Sequence, residues 1–259
     1  MGSPAIIFYR FALAFVVGLG ILFIFNRDYK MWRNEFRLSF WAGFWLGLTL
    51  ILQTWGLITT TATKSSFITT LYVIIVPLLG YFFQKEKLHP LHFLFVGLAV
   101  AGTAMIVDFQ WSTWSLGDSL TLANAFTAAF HILYVGKIAP RSQHHFAFNI
   151  FQSFWCALFA LCLLALDTRW SLAPLDTKAW IGILSLGLGS SLFAFYIQVK
   201  AQKVLPPSLA SLLFMMESPF SYFFAYLFLG ERLNNLQSFG AGLIFFACFG
   251  ATIIEQKRK

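Results

Sequence analysis

The sequence predicts an all-α membrane protein, a polytopic helix bundle built from two inverted repeats of four and five helices, and three observations predict it. The 259 residues are 59% hydrophobic and only 11% charged, whereas a soluble chain is roughly 45–50% apolar and about 25% charged. Long apolar runs follow one another with barely enough polar residues to turn the chain between them. The chain also resembles itself at a shift of 145 residues.

A bilayer core takes about 20 residues of apolar helix. Nine runs meet that measure, near residues 5–25, 38–58, 65–83, 90–108, 117–137, 147–166, 178–199, 206–229 and 236–254. Barrel strands would instead be segments of about ten residues with alternating polarity, and no such alternation is present. Lipid offers backbone groups no hydrogen bonds, so helices are the remaining way to satisfy them.

Lysine and arginine collect on the cytoplasmic side of membrane proteins. In alternate loops, one side holds Arg27, Lys30, Arg33, Arg37, Lys85, Lys87, Lys137, Arg141, Lys200, Lys203 and the tail Lys257, Arg258, Lys259, and the other holds Lys64, Arg169, Lys178 and Arg232. Thirteen against four puts the first set and the C-terminus in the cytoplasm, and an odd helix count puts residue 1 on the opposite side. The expected location is the cytoplasmic, or inner, membrane.

The repeat accounts for the odd count. The shift pairs Gln53 with Gln198, Ser66 with Ser211, Tyr81 with Tyr226, Glu86 with Glu231 and Gly97 with Gly242. Five helices separate equivalent points, an odd number, so the halves are expected to be inverted. The second repeat, 115–259, has five helices. The counterpart of its first helix falls before residue 1, so the first repeat, 1–110, is read as four helices lacking its first. Inverted repeats mark secondary transporters, with the solute near the midplane.

Polar side chains inside apolar runs are the candidate solute contacts. Glu217 stands near the middle of its run, and a carboxylate there is costly enough to be buried in protein and functional; it would bind a cationic group or carry a proton, or else hydrogen-bond a neighbouring helix. Pro219 removes the bond to residue 215, leaving the Met215 carbonyl open to a cavity. Leu213, Glu217 and Ser221, four residues apart, would share one face. Gln53 and Gln198 need partners in hydrocarbon, either a solute or a helix. Tyr72 takes the position equivalent to Glu217. Asn124 and His131, seven residues apart, face the same way; His131 is a candidate proton carrier or a packed structural residue. Glu86 and Glu231 are expected to cap or pair at helix ends, and Gly43 with Gly47 to let helices approach. Trp111, Trp114 and Trp170 fit an interfacial belt.

Other functions find little support. Cys156, Cys162 and Cys248 all lie in apolar runs, without the spacing of a disulfide framework or metal site, and the five histidines read as loop or core residues, so no metal or cofactor is expected. The net charge of +8 is spread over short loops rather than gathered into the stripe that nucleic acid requires. The first run contains Arg10 and lacks a cleavage site, unlike a signal peptide. HExxH, GxSxG and GxxxxGK[ST] are absent, which speaks against an enzyme and against ATP-driven transport. The expected partners are a small-molecule solute, the lipid bilayer and a second copy of the chain in a homodimer.

The residues resemble the drug/metabolite transporter superfamily, in its EamA-type branch. Thr61-Ala-Thr-Lys-Ser-Ser-Phe-Ile-Thr-Thr-Leu-Tyr72 is similar to the family's "SASRAAFLTSLYP" stretch and Lys85-Glu-Lys-Leu88 to its "GERL" turn. In the second half Leu205-Pro-Pro-Ser-Leu-Ala-Ser-Leu-Leu213, Glu217-Ser-Pro219, Leu229-Gly-Glu-Arg-Leu233 and a final glycine-bearing helix follow the family's order. The resemblance implies a ten-helix plan, of which this chain shows nine runs, and export or import of solutes of many chemical kinds. Val73 and Ile74 stand where the family often has a proline.

Overall fold

The computed structural model describes residues 3–25, 28–86, 89–107, 114–166, 177–229 and 234–257, and every regular element among them is helical. The helices are α1 (Ser3–Phe25), α2 (Tyr29–Leu38), α3 (Phe40–Gly56), α4 (Ala62–Thr70), α5 (Tyr72–Gln84), α6 (Pro90–Ile106), α7 (Leu116–Ile138), α8 (His145–Leu166), α9 (Thr177–Leu184), α10 (Phe195–Gln202), α11 (Pro207–Phe214), α12 (Glu217–Leu229) and α13 (Asn235–Gln256). A 3₁₀ turn (Ala139–Arg141) precedes α8, and a π-helical stretch (Ser185–Ala194) joins α9 to α10. The expectations for Glu231, Trp111 and Trp170 fall outside the described residues.

Each of the nine apolar runs is largely helical where described, with turns at Ser39, Leu71, Met215 and Met216. Among the described residues, six helical segments are long and apolar enough to cross a membrane, and a seventh if α2 and α3, bent by 46° at Ser39, count together. The protein is therefore an all-α, multi-pass membrane protein. Two departures from the sequence reading stand out. The loop rich in basic residues before α3 is itself a helix, α2, because Asp28 accepts from the amides of Lys30 and Met31 and caps it. The run 206–229 is two helices, interrupted at Met215 and Met216.

Local chemistry sets the helix ends. Pro90 opens α6, with the His89 ring accepting from the Leu91 amide. Asn234 and Gln237 satisfy each other's backbone in a capping box at α13. Ser115 and Asp118 do the same for α7: Asp118 Oδ2 accepts from the Ser115 amide at 2.8 Å and Ser115 Oγ from the Asp118 amide at 3.1 Å. α5 ends on Lys85, in the left-handed conformation at φ 54°, so the Glu86 amide can reach back to the Gly80 carbonyl.

The chain divides into two compact units, each drawing on both halves of the sequence: residues 1–54 with 134–204, and residues 55–133 with 205–259. Lipid is as apolar as leucine, so close packing and hydrogen bonds hold such helices together. In the first unit α1 lies along α8, over a core of Phe11, Leu46, Cys156 and Ala160. Gly43 presses on α8 so closely that a Cβ there would lie 2.5 Å from Trp155 Cβ. The buried Glu35 side chain ties α2 to the turn before α8, accepting from Ser142 Oγ and the Gln143 amide, both at 2.8 Å. In the second unit α6 and α13 form the tightest pair, around Phe95, Ala99, Leu212, Met215 and Ile244.

The elements repeat at the shift seen in the sequence. α4 and α5 begin at Ala62 and Tyr72; α11 and α12 begin at Pro207 and Glu217, 145 residues later in each case. α6 and α13 begin at Pro90 and Asn235, at the same offset.

Candidate functional site

A seam of polar side chains joins α4 to α7 in the second unit. At one end Lys64 Nζ meets Asp118 Oδ2 at 2.6 Å, and Thr60 Oγ1 donates to Asp118 Oδ1. Farther along, Ser65 and Thr121 hydroxyls lie 3.3 Å apart. Next, Asn124 Nδ2 donates to Thr69 Oγ1 at 3.0 Å. Asp118, Thr121, Asn124 and His131 are all at least nine-tenths buried, and their spacing of three to seven residues places them along one side of α7. The helix thus carries a polar line through a span that otherwise suits hydrocarbon.

One atom of that line is unsatisfied. Asn124 is 0% exposed, yet its Oδ1 has no hydrogen-bond partner among the described residues. Turning the amide over only exchanges the two atoms, so one polar atom is left over in either orientation. An unpaired buried acceptor costs about 1–3 kcal/mol.

Tyr72 and Glu217 occupy matching places, each opening the second segment of an interrupted helix. Tyr72 is half-buried between two apolar clusters. Glu217, expected to be buried within its helix, is instead exposed, because it stands at the N-terminus of α12 rather than mid-helix. The sequence reading put Leu213, Glu217 and Ser221 on one helical face. The interruption corrects this, since the four-residue relation fails across Met215 and Met216, leaving Glu217 and Ser221 together on α12. The side chain of Ser221 is outside the described residues. Nor is the Met215 carbonyl open as expected: the Ser218 amide donates to it at 3.2 Å.

In the first unit Gln53 is half-buried on α3, and Gln198 Nε2 donates to Gln202 Oε1 at 3.3 Å on α10. More polar than either is a group around Arg10. Its Nε donates to Ser191 Oγ and its Nη2 to Ser190 Oγ, both at 2.9 Å. Asn149 Nδ2 donates to the carbonyls of Ser191 and Leu192 at 3.2 and 2.9 Å. The sequence reading treated Arg10 only as a mark against a signal peptide and passed over both serines. An arginine inside an apolar run is a signal for Arg10 alone, and only the structure joins the serines to it.

Glu86 is a helix cap. Its Oε2 accepts from Ser208 Oγ at 2.8 Å at the start of α11, and Gly80 leaves the room, since a Cβ there would lie 2.6 Å from that oxygen. A small pocket beside it is lined by Glu86, His89, His92 and Glu255 among apolar residues. Among the described residues no three His, Cys, Asp or Glu side chains converge as metal ligands would.

Comparison with known proteins agrees with this architecture. The model of the EamA-like transporter family matches residues 1–108 and again 115–253. An uncharacterized transporter of Archaeoglobus fulgidus is 28% identical over 215 residues, 81% of this chain and 68% of that protein. A protein solved by crystallography superposes with a TM-score of 0.84 at 15% identity, over 100% of this chain and 90% of its own. Identity that low bears on the fold alone.

Proposed function

The chain belongs to the EamA-like transporter family, and from that premise we propose that it is a secondary transporter, moving a small metabolite or drug-like solute across the cytoplasmic membrane by alternating access. The observation that carries the reading is the buried seam of α4 and α7 ending in the unpartnered Asn124 Oδ1. A structural polar line would be satisfied along its whole length, whereas a solute donor at Asn124 completes this one. Tyr72, His131 and Glu217 with Ser221, and Gln53 with Gln198, are the further solute contacts of this reading. The interruptions before Tyr72 and Glu217 support it, because discontinuous helices form the binding sites of inverted-repeat transporters. The excess of lysine and arginine on one side supports a cytoplasmic C-terminus in this reading.

The test is flux in liposomes reconstituted with the full chain, against a panel of radiolabelled amino acids, amines, sugars and carboxylic acids. Saturable flux above empty liposomes is expected for at least one class, reduced by Asn124→Leu. Folded protein that moves none of them sinks the proposal.

A further inference from the structure

We infer that Arg10, Ser190 and Ser191 form a subsite for a monoanionic carboxylate on the transported solute, an inference that rests on the transport reading above. Guanidinium stays protonated in proteins, and ionisable groups within membrane spans are rare and mark solute or ion paths. Arg10 lies within the span Pro4–Phe25 and is 9% exposed. Its serine partners stand near the middle of the span Ala179–Gln202.

Among the described residues the charge has no acid beside it. Among the described residues the first unit holds two acids, Asp28 and Glu35. Asp28 caps α2, and Glu35 accepts from Ser142 and Gln143. The described ion pair, Lys64 with Asp118, belongs to the second unit. A single positive charge is therefore held in the span by two hydroxyls and over the Phe11 ring, 5.0 Å from its centroid, with no countercharge among the described residues.

The donors that remain suit a carboxylate. Each serine oxygen accepts from the guanidinium, which leaves its own O–H to donate onward, and neither hydroxyl donates to an acceptor among the described residues. The second terminal nitrogen, Nη1, likewise has no acceptor among them. Two hydroxyls and one guanidinium nitrogen match the two oxygens of a carboxylate, and one positive charge neutralises one negative one; a dianionic phosphate would stay half unpaired. The backbone is shaped around this point. The serines lie in ten residues of π-helix, a form found mostly as single turns and often at functional sites, and Asn149 grips two successive carbonyls there. At the 145-residue offset Arg10 corresponds to Trp155, and Ser190 and Ser191 to Trp45 and Leu46. The group is thus particular to one place in the chain and is no part of the repeated framework.

The full chain in nanodiscs of neutral phosphatidylcholine tests this by ¹⁹F NMR, with fluoroacetate as the probe and fluoroacetamide as its neutral isostere. Saturable line broadening is expected for fluoroacetate and none for fluoroacetamide. Ser190→Ala with Ser191→Ala removes two hydrogen bonds to a charged ligand and should weaken binding about tenfold or more, with an unchanged circular dichroism spectrum; Arg10→Gln should abolish it. Equal broadening by both probes, no broadening by fluoroacetate, a serine double variant that titrates like the wild type, or displacement by inorganic phosphate at lower concentration than by acetate would each overturn the inference. The two readings fail separately. Flux of neutral or cationic solutes without fluoroacetate binding removes the carboxylate subsite alone, and fluoroacetate binding without flux of any solute removes transport alone.

Discussion

Lys64 Nζ stands 2.6 Å from Asp118 Oδ2, with side chains 11% and 0% exposed, and the contact joins the first turn of α4 to that of α7. Removing one partner of such a pair leaves the other charge buried and costs about 3–5 kcal/mol. Asp118→Asn should therefore lower the midpoint of thermal unfolding in detergent markedly. Adding Lys64→Met to it should restore much of the loss, because no uncompensated charge is then left. A double variant no more stable than the single one would show that the pair holds by its hydrogen bonds to Thr60 and Ser115 rather than by charge.

Lys85 offers a gain in place of a loss. It ends α5 at φ 54°, where a side chain costs energy that glycine avoids. Lys85→Gly should stabilise the chain by about 0.5–1 kcal/mol, read as a higher unfolding midpoint. The second half already carries Gly230 at the equivalent place in its sequence.

Gly43 and Gly47, one turn apart on α3, should respond in opposite ways. A Cβ at Gly43 would lie 2.5 Å from Trp155 Cβ and 2.7 Å from the Gln152 carbonyl oxygen, while one at Gly47 would rest 3.5 Å from Cys156 Sγ. Gly43→Ala is expected to cost about 1–3 kcal/mol through overpacking. Gly47→Ala should be neutral or gain up to about 1 kcal/mol of helix propensity. Parallel unfolding curves for the two variants and the wild type decide it.

Glu217→Gln keeps size and hydrogen bonding while removing the carboxylate charge. On the proposed reading, transport falls at unchanged folded yield. Normal flux across the working pH range would leave Glu217 as a surface residue of α12 and no more.

The path of the helices was legible because lipid imposes a single rule, that an apolar run of about 20 residues must be helical, and each of the nine runs is largely helical where described. Interruptions were harder to see. Met215 and Met216 are as apolar as their neighbours, and Pro219 lies beyond them in the first turn of α12, so nothing in the composition marks the break. Asn124 could be found from the sequence because an amide in hydrocarbon needs a partner. Ser190 and Ser191 could not, since serines bonded within their own helix are commonplace and only a contact 181 residues away, to Arg10, gives one of them meaning. The glycines teach the same lesson. Gly97 and Gly242 helped to reveal the repeat, yet each faces open space. A close backbone approach of α6 to α13 falls at Gly102 and Gly240, which the repeat does not pair.

That approach is reciprocal: a Cβ on Gly102 would lie 2.5 Å from the carbonyl oxygen of Gly240, and one on Gly240 would lie 2.5 Å from that of Gly102. Backbone rests on backbone, with no side chain between to yield or change rotamer. Two reporters placed on α6 and α13 near this crossing should therefore keep one separation through a transport cycle, and the molecule carries its own fixed ruler against which any other distance in it can be calibrated.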